Sequence, residues 1–512
     1  MKTGKWKYGA SWSALLPVKA EGCFYIYQAT NEKGLYMRFA GRSLVTIDDF
    51  SEEEIAAVFD LADEMSGNMG GQLGLCHGRV MASLFFEPST RTRLSFEAAM
   101  HRLGGNVISA VDTRATSLAK GESIADMSRV VGSYADIIVI RHPWEGAAKV
   151  VADYSGIPVI NAGDGGHQHP TQTLLDLYTI KKERKTIKGL KIALWGDLKH
   201  GRTVHSLIFA LAKLGANIVF CPSPGFEVPK HVIHKLVTEY GGEMEQLDES
   251  DTTERRGLSS LDAVYITPGS PHQLAMMPNI NLSVEMRRGI DALYVTRPQK
   301  ERFTPGEGGK NIEKDYPIVD RKLLKGRGFE KTIIMHPLPR VDELACELDA
   351  DPRSIYFRQA AHGVPVRMAL IALLLGAREN SMSNTSSSSR QAEYPAYRQN
   401  LGLSCPNPNC VSVQRTELKY IKPSFKIVSN NPVTLRCVYC EHGFEPEYVA
   451  SAHWHEGSPE NKKYHSSASH WAKTIKPENL IVFNTASEAE AHGFKPSKYA
   501  STPLSHNEED KS

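Results

Sequence analysis

Two series of short apolar runs, with helical patterns between them, extend along most of the chain from residue 44. The first series has apolar runs at 80–86, 107–111, 137–140 and 157–160, which we interpret as strands, and we expect those at 107–111 and 137–140 to be buried. The second series begins at residue 190 and has a helix at 202–214, strands at 217–221, 263–266 and 292–295, and an apolar helix at 364–376. Strands that alternate with helices are typical of parallel sheets covered by helices. The pattern therefore predicts an α/β fold with two doubly wound parallel-sheet domains joined by long helices.

Shifts in composition divide the chain further. The expected parts are a leader of unknown role at 1–42, a first α/β domain at 43–185 with a returning helix at 360–378, a second α/β domain at 186–359, a Ser-rich linker at 379–392, small units at 393–450 and 451–503, and a disordered tail at 504–512. Met37 stands just before the periodic pattern, and we expect the natural start there.

Composition narrows the class of protein. The 512 residues are 41% hydrophobic and carry a formal net charge of +2, which does not indicate a nucleic-acid or membrane partner. No apolar run approaches ~18 residues, and the first residues lack a signal-peptide pattern. Four of the eight cysteines form two close pairs near the C-terminus. That distribution favours a reducing cytoplasm and one metal site over a disulfide framework.

The junction after the run at 80–86 predicts an anion site. Ser89, Thr90, Arg91 and Thr92 open a helix, where free backbone N–H groups and the helix dipole favour a negative ligand. Three hydroxyls add neutral donors, and the Arg91 guanidinium matches phosphate oxygens. Taken alone, this stretch favours an ordinary helix cap with a solvated arginine over an anion site.

The longer stretch at 85–97 resembles the carbamoyl-phosphate signature of the aspartate and ornithine carbamoyltransferases, in which Ser-x-Arg-Thr is followed by Arg. The resemblance implies that Ser89, Thr90, Arg91 and Thr92 bind the phosphate end of carbamoyl phosphate. It also implies that Arg141, after the strand at 137–140, reaches the phosphate and the carbonyl oxygen. Without its neighbouring motifs, Arg141 could equally form a structural salt bridge.

A glycine-rich turn follows the strand at 157–160 and leads into His169-Pro-Thr-Gln172. This segment is similar to the His-Pro-x-Gln motif of the same family, which implies that His169 donates to the carbamoyl carbonyl and that Gln172 binds the carbamoyl amide. A histidine at a helix start is disposed to remain neutral. His167 lies outside the motif, and we expect it to have no direct role.

Ser117 and Lys120 lie in a polar stretch between a strand and a helix. A loop lysine is by default solvated. In the resembling family, however, a matching Ser and Lys enter the active site of the neighbouring subunit. The resemblance therefore implies a homo-oligomer built on catalytic trimers with shared sites.

The second substrate is indicated by Arg202, Arg297 and Gln299, which follow strand ends in the second domain. Two guanidinium forks suit the two carboxylates of aspartate. The pattern resembles the aspartate branch of the family, and the chain lacks the Ser-Met-Gly motif of ornithine enzymes. The resemblance also makes the carbonyls of Leu338 and Pro339 acceptors for the carbamoyl NH₂ and the attacking amine. Pro298 departs from the pattern without an expected change of substrate.

These residues predict transfer of a carbamoyl group from carbamoyl phosphate to L-aspartate, the committed step of pyrimidine synthesis. The expected catalytic residues are Arg91, Thr92, Lys120, Arg141 and His169, and the transfer needs neither a metal nor a covalent nucleophile. Two alternatives stay open at this point. One is a different amino-acid acceptor, and the other is a non-catalytic scaffold for catalytic trimers.

Cys405, Cys410, Cys437 and Cys440 form C-x4-C and C-x2-C pairs about 27 residues apart. Two such pairs predict one structural Zn²⁺ in a small β-rich domain, with four unrelated core thiols as the alternative. The segment resembles the zinc domain of the aspartate carbamoyltransferase regulatory chain, without the nucleotide-binding domain that precedes it there. We therefore expect no ATP or CTP control through that domain, and a role for the zinc domain in contact between catalytic subunits.

The unit at 451–503 is similar to the small zinc-binding module of the Ada type. That module has cysteines where this chain has Ser469, Ser497 and Ala500. The resemblance implies a degenerate, metal-free interaction unit. We expect the histidines in and before it to be solvated; they are His453, His455, His465 and His470.

Overall fold

The computed structural model describes residues 39–112, 116–223, 225–241, 245–246, 261–267, 290–298, 318–325, 329–378, 394–453 and 462–500. The leader up to residue 38, the Ser-rich linker, the tail, Gln299 and His455 lie outside the described residues. None of the described helices is both long and apolar enough to cross a membrane.

The first α/β domain is built on a parallel sheet with the strand order β2-β1-β3-β4. The strands are β1 (Val80–Phe85), β2 (Asn106–Val111), β3 (Ile137–His142) and β4 (Val159–Asp164). The helices around it are α1 (Glu52–Ser66), α2 (Thr90–Arg102), α3 (Ile124–Gly132) and α4 (Ala147–Ser155). Ser51 and Glu54 fix the start of α1, because each side chain accepts from the backbone N–H of the other residue.

The second α/β domain has a parallel sheet with the strand order β10-β9-β8-β5-β6-β7. Its strands are β5 (Lys191–Gly196), β6 (Asn217–Pro222), β7 (Glu245–Gln246), β8 (Ala263–Thr267), β9 (Ala292–Val295) and β10 (Ile333–Met335). From β5, the chain adds β6 and β7 on one side and then β8, β9 and β10 on the other. Helices α6 (Arg202–Lys213) and α7 (Lys230–Tyr240) connect these strands and cover the sheet. Two parallel sheets in one chain confirm the predicted fold class.

Two long helices connect the domains. Helix α5 (Pro170–Arg184) leads from β4 into the second sheet, and α8 (Tyr356–Leu374) returns from it to pack on α1, α2 and α5. Their apolar faces belong to one core that continues from the first sheet into the second. The carboxyl ends of both sheets therefore face each other across a shared cleft.

The C-terminal part of the chain is rich in short strands. Strands β11 (Phe425–Asn430), β12 (Val433–Cys437) and β13 (Gly443–Phe444) form an antiparallel sheet, and a mixed sheet follows with β14 (Tyr448–Ser451), β15 (Lys463–Ser466), β16 (Leu480–Phe483) and β17 (Lys495–Pro496). A short helix, α9 (Ala486–Ala491), lies beside the second sheet. Val449 and Val482 of the second sheet share an apolar cluster with Phe425 of the first sheet and with Tyr397, which precedes it in the chain.

Three expectations were wrong in detail. Strand β2 is not buried: Ile108 is 42% exposed and Val111 is 41% exposed. The reason is that β2 is an edge strand, with no neighbour on its outer side among the described residues. Helix α8 begins at Tyr356, well before residue 364, and contains Pro365; its buried apolar face outweighs the local effect of proline. His465 is only 5% exposed because β15 packs it into the module, so it is not solvated.

Candidate active site and metal centre

A cavity of about 380 Å³ lies in the cleft between the two α/β domains. Its wall includes eleven of the fourteen residues predicted to bind substrates, which are Ser89, Thr90, Arg91, Thr92, Arg141, His169, Gln172, Arg202, Arg297, Leu338 and Pro339. They come from positions up to 250 residues apart and meet here because parallel strands end at the same edge of a sheet. The sequence thus brings its polar motifs to one place.

The start of α2 forms one end of the cavity. Ser89 is the N-cap residue, and its side chain makes no capping hydrogen bond. The first backbone N–H groups of α2 therefore keep their capacity to donate to a ligand. Burial, and to a smaller extent the nearby Arg297, lowers the pKa of Arg91. Two guanidinium groups that repel each other in this way make an anion favourable between them.

Glu87 was not predicted, although it lies in the signature stretch. Its carboxylate bridges two arginines: Oε1 is 2.9 Å from Nη2 of Arg141, and Oε2 is 3.1 Å from Nη1 of Arg202. Arg202 also donates to the carbonyl of Gly165 (2.7 Å), and Arg141 donates to that of Ala162 (3.3 Å). Both arginines are nine-tenths buried or more, so the charge of Glu87 offsets part of their desolvation.

His169 is the N-cap residue of α5 and is 4% exposed. Its Nδ1 accepts a long hydrogen bond from the backbone N–H of Gln172 (3.4 Å), and its own backbone N–H donates to Oγ of Ser206 (3.0 Å). Because Nδ1 is the acceptor, a neutral ring carries its proton on Nε2. His169 is therefore arranged as a hydrogen-bond donor through Nε2.

Gly163 allows these side chains to approach one another. Its φ is +115°, and a Cβ at this position would lie 3.0 Å from Nη1 of Arg141, 3.3 Å from Cδ2 of His169 and 3.4 Å from Cζ of Arg202. Any other residue would strain the backbone and crowd three cavity side chains at once. The glycine of this turn is thus part of the shape of the cavity.

The loop after β10 completes the wall with Leu338 and Pro339. The ring of His336 holds this loop, since Nδ1 accepts from the Leu338 backbone N–H (2.8 Å) and Nε2 lies 2.8 Å from Oε1 of Glu343. His336 and Glu343 are both buried, and burial lowers the pKa of His336. A buried hydrogen-bonded pair thus fixes the turn whose carbonyls were predicted to bind substrate.

Ser117 and Lys120 are not brought to the cavity. They lie on a short 3-10 helix (Ser117–Lys120), where the Ser117 hydroxyl donates to Glu122 and Lys120 is exposed. His167 also lies outside the cavity wall: its ring is 3.0 Å from Asp164 and 3.2 Å from Glu441. Of the three predicted ligands missing from the wall, Gln299 is the one outside the described residues.

The four C-terminal cysteines form a compact buried cluster. Their sulfur atoms all lie within 4.8 Å of one another, with Cys405 3.6 Å from Cys440 and Cys410 3.8 Å from Cys437. Tetrahedral thiolates at ~2.3 Å from a Zn²⁺ ion are ~3.8 Å apart, so these four fit such an ion. The cluster suits a structural metal, because all four ligand positions are protein side chains.

The domain around this cluster packs on both α/β domains of its own chain. Toward the first domain, the Glu145 backbone N–H donates to the Asn409 carbonyl and the Val411 N–H donates to the Glu145 carbonyl, both at 2.9 Å. Toward the second domain, Lys235 of α7 lies 3.0 Å from Glu441, which also reaches His167 and Gln168. Glu441 directly follows Cys440 in the sequence and thus connects the cysteine cluster with the loop that carries His169.

Comparisons with protein families match these parts separately. Residues 42–182 match the carbamoyl-phosphate-binding domain of aspartate/ornithine carbamoyltransferases, and residues 188–269 and 274–374 match their aspartate/ornithine-binding domain. Residues 399–450 match the metal-binding domain of the aspartate carbamoyltransferase regulatory chain. The matches follow the order of the folded domains along the chain.

Individual relatives agree with this. The aspartate carbamoyltransferase catalytic subunit of Picrophilus torridus is 45% identical over 340 residues, which are 65% of this chain and 98% of that protein. The structure of the M. jannaschii catalytic subunit of aspartate transcarbamoylase has a TM-score of 0.52 at 42% identity, covering 65% of this chain and 98% of that one. The Trypanosoma cruzi enzyme, solved with carbamoyl aspartate and phosphate, has a TM-score of 0.53 at 35% identity, covering 66% and 96%. This chain belongs to the aspartate carbamoyltransferase family, and it joins the catalytic domains of that family to the metal-binding domain of the regulatory chain.

Proposed function

We propose that this protein transfers the carbamoyl group of carbamoyl phosphate to the amine of L-aspartate, giving N-carbamoyl-L-aspartate and phosphate for pyrimidine synthesis. The observation that carries the proposal is the single cavity in which motifs from both α/β domains meet. The first α/β domain offers the start of α2 to a phosphate, and the second offers the guanidinium groups of Arg202 and Arg297 to carboxylates.

The phosphate end is assigned to Ser89, Thr90, Arg91 and Thr92. A phosphate dianion at the start of α2 would receive hydrogen bonds from backbone N–H groups, hydroxyls and the Arg91 fork together. Lys120 and Ser117 of a neighbouring subunit would add a cation and a hydroxyl. The carbamoyl group would then point toward Arg141, His169 and Gln172.

The acceptor end is assigned to Arg202, Arg297 and Gln299. Aspartate brings two carboxylates, and the guanidinium groups of Arg202 and Arg297 in the cavity wall match their number and charge. Carbonyl groups of Leu338 and Pro339 would accept from the carbamoyl NH₂ and the attacking amine. An ornithine side chain ends in an ammonium, for which these arginines offer no partner.

The reaction needs few proton transfers. Aspartate binds with a neutral amine, whose lone pair attacks the carbonyl carbon while negative charge develops on the carbonyl oxygen. Thr92, Arg141 and Nε2–H of His169 stabilise that oxygen, and preorganised donors of this kind are commonly worth ~3 kcal/mol each. The bond to phosphate then breaks, and the leaving phosphate takes the proton of the former amine.

The direct test is product formation from carbamoyl phosphate with aspartate or ornithine offered separately. We expect carbamoyl aspartate alone, with loss of activity in Arg297→Ala. Turnover with ornithine would overturn the acceptor assignment. Folded, metal-loaded protein that turns over neither substrate would favour the scaffold alternative.

We further propose that the chain forms trimers with shared active sites. Leu94 of α2 and Ile108 and Val111 of β2 are 50%, 42% and 41% exposed, an unusual set of apolar side chains on one edge of a domain. Mixing inactive Lys120→Ala and Arg297→Ala proteins should restore part of the activity, because some mixed sites would contain neither change. No recovery despite subunit exchange would argue against shared sites.

For the C-terminal units we propose a structural Zn²⁺, one per chain, held by Cys405, Cys410, Cys437 and Cys440. The family matches pass from residue 374 to residue 399, so we expect no control by ATP or CTP through an inserted effector domain. We expect the zinc domain to mediate contact between catalytic trimers, and the enzyme to be cytoplasmic.

The unit at 451–503 remains proposed as a degenerate Ada-type module. Ser469 and Ser497 are buried at 5% and 8% exposure, so their hydroxyls lie inside the module rather than on its surface. Hydroxyls hold zinc far less well than thiolates do. A metal content of one zinc rather than two per chain would support this assignment.

A further inference from the structure

Asp176 lies one helical turn after Gln172 on α5 and is 3% exposed. No motif assigns it a role. Three side chains from different parts of the chain donate hydrogen bonds to its carboxylate: Gln172 and Gln359 to Oδ1, at 2.9 and 2.7 Å, and Tyr294 to Oδ2, at 2.8 Å. A carboxylate that accepts from three donors, of which Gln359 and Tyr294 are buried and Gln172 is half-buried, fixes the orientation of all three.

The consequence for Gln172 is specific. A side-chain amide has a donor end and an acceptor end, and an ionised carboxylate can only accept. In the structure Nε2 of Gln172 donates to Oδ1 of Asp176, which leaves Oε1 as the end that a ligand in the cavity can meet. An oxygen at that position accepts from the carbamoyl NH₂ and gives no favourable contact to a methyl group.

The same carboxylate oxygen also orients Gln359. Its Nε2 is held by Asp176, and its Oε1 accepts from the backbone N–H of His336 at 2.9 Å. His336 begins the loop that carries Leu338 and Pro339. Asp176 is thus connected both to the side chain and to the loop that were assigned to the carbamoyl NH₂.

Two further groups surround Asp176. Burial raises its pKa to about 7, while its three hydrogen bonds and the charge of Arg367 on α8 oppose that rise. Arg367 is 3% exposed, lies on the cavity wall and stacks over Phe96 of α2, with its Cζ 4.9 Å from the ring centre. Tyr294 belongs to β9, so the cluster spans both α/β domains.

We propose that Asp176 is a positioning residue that makes the enzyme select carbamoyl phosphate over acyl phosphates without an NH₂ group. It acts through Gln172 and the Leu338 loop and does not touch the substrate. The inference rests on the proposed function. Acetyl phosphate is the matched probe, because it carries a methyl group where carbamoyl phosphate carries NH₂.

Asp176→Leu removes the acceptor and keeps the branched shape of the side chain in a somewhat larger volume. Gln172 is then free to turn its donor end toward the cavity, and a polar group left without its partner commonly costs 10-fold or more in affinity. We expect carbamoyl phosphate to bind about 10- to 100-fold more weakly, with the affinity for acetyl phosphate changed less than about 3-fold. Both affinities are measured by calorimetry, which requires no turnover.

Two matched variants separate positioning from general damage. Asp176→Asn can still accept from both glutamines through Oδ1 while its Nδ2 donates to the Tyr294 oxygen, so it should keep most of the selectivity. Tyr294→Phe removes only the partner of Oδ2 and should keep it as well. Equal weakening of both ligands in Asp176→Leu, or unchanged affinity for both, would overturn the proposal.

Folding is checked by the increase in thermal stability that inorganic phosphate gives each variant, since phosphate does not need Gln172. If Asp176→Leu does not fold, Asp176→Ser is used, whose hydroxyl is too short to reach either glutamine. Wild-type turnover is measured separately. A wild type that binds selectively but forms no carbamoyl aspartate would refute the proposed function and leave the role of Asp176 standing.

Discussion

At the scale of single residues, the cavity depends on groups that carry no motif of their own. Glu87 joins Arg141 and Arg202 across 54 and 115 residues of sequence. The resemblance could predict which side chains bind substrates, because those stand in recognisable strings. It could not predict that Glu87 and Asp176 hold them, since the partners of a buried carboxylate are fixed only by the fold.

Gly163 gives a test of cavity shape. Gly163→Ala should lower kcat/KM at least about 100-fold, because the new Cβ displaces Arg141, His169 and Arg202 together. Gly156→Ala is the matched control: its φ is also positive, at +71°, but a Cβ there has no atom within 4 Å. It should lose about 1 kcal/mol of stability and keep its activity. Equal activity loss in both variants would mean that backbone strain, and not crowding, is responsible.

Asp176 also gives a prediction for stability. Burial raises the pKa of Asp176 from its ordinary value of 3.8 to about 7, so the folded state binds more protons than the unfolded state between these pH values. The contribution of Asp176 is therefore most favourable below pH 3.8 and is lost as the pH rises through 7. Asp176→Asn, which does not titrate, should gain stability relative to wild type between pH 5 and pH 8. Denaturant unfolding at pH 5 and at pH 8 measures the free energy of unfolding of the variant and the wild type. A difference between the two proteins that does not change with pH would contradict the raised pKa of Asp176.

At the scale of elements, the apolar pattern predicted the strands within two residues at most ends but misjudged their surroundings. Strand β2 has the composition of a buried strand and lies at an edge of the sheet. Composition shows that a strand should be covered, but not whether its own chain covers it. The apolar sequence of β2 is typical of a covered strand, but the folded single chain leaves β2 exposed. We therefore expect a second copy of the chain to cover it.

Ile108→Glu should therefore break the trimer. A charge on the exposed edge of β2 would be desolvated in an interface but harmless in a monomer. We expect light scattering to show a smaller mass than that of the wild type, together with loss of activity. Val237→Glu on α7 is the control, since Val237 is similarly exposed at 48% but lies on another element. An unchanged mass for Ile108→Glu would place the subunit interface elsewhere.

At the scale of the whole molecule, the metal-binding domain contacts the loop that leads to His169. Glu441 follows the ligand Cys440 and reaches His167 and Gln168, and the next residue is His169. The interface of the metal-binding domain with both α/β domains could not be predicted from the sequence. A resemblance to a separate regulatory chain does not say where that domain packs when it is fused to the catalytic domains. We therefore expect the metal-binding domain to affect catalysis through this loop without supplying any chemistry.

Removal of zinc should lower activity as well as stability. In Cys437→Ser one thiolate is lost, and we expect loss of bound zinc and unfolding of the small domain. The His169 loop then loses its contact with Glu441, so kcat should fall about 10-fold or more. Cys346→Ser is the control, because Cys346 is exposed and lies outside the cluster. Full activity in zinc-free protein would show that the contact does not matter for turnover.

The contact between the zinc domain and its own catalytic domains has a consequence for dilution. Units that are tied into one polypeptide meet at an effective concentration of about millimolar or more, whatever the concentration of the protein. Two separate chains come apart when they are diluted, and their ratio follows their rates of synthesis. Here the stoichiometry is fixed at one to one by translation itself, so no change in expression can produce a catalytic domain without its zinc domain.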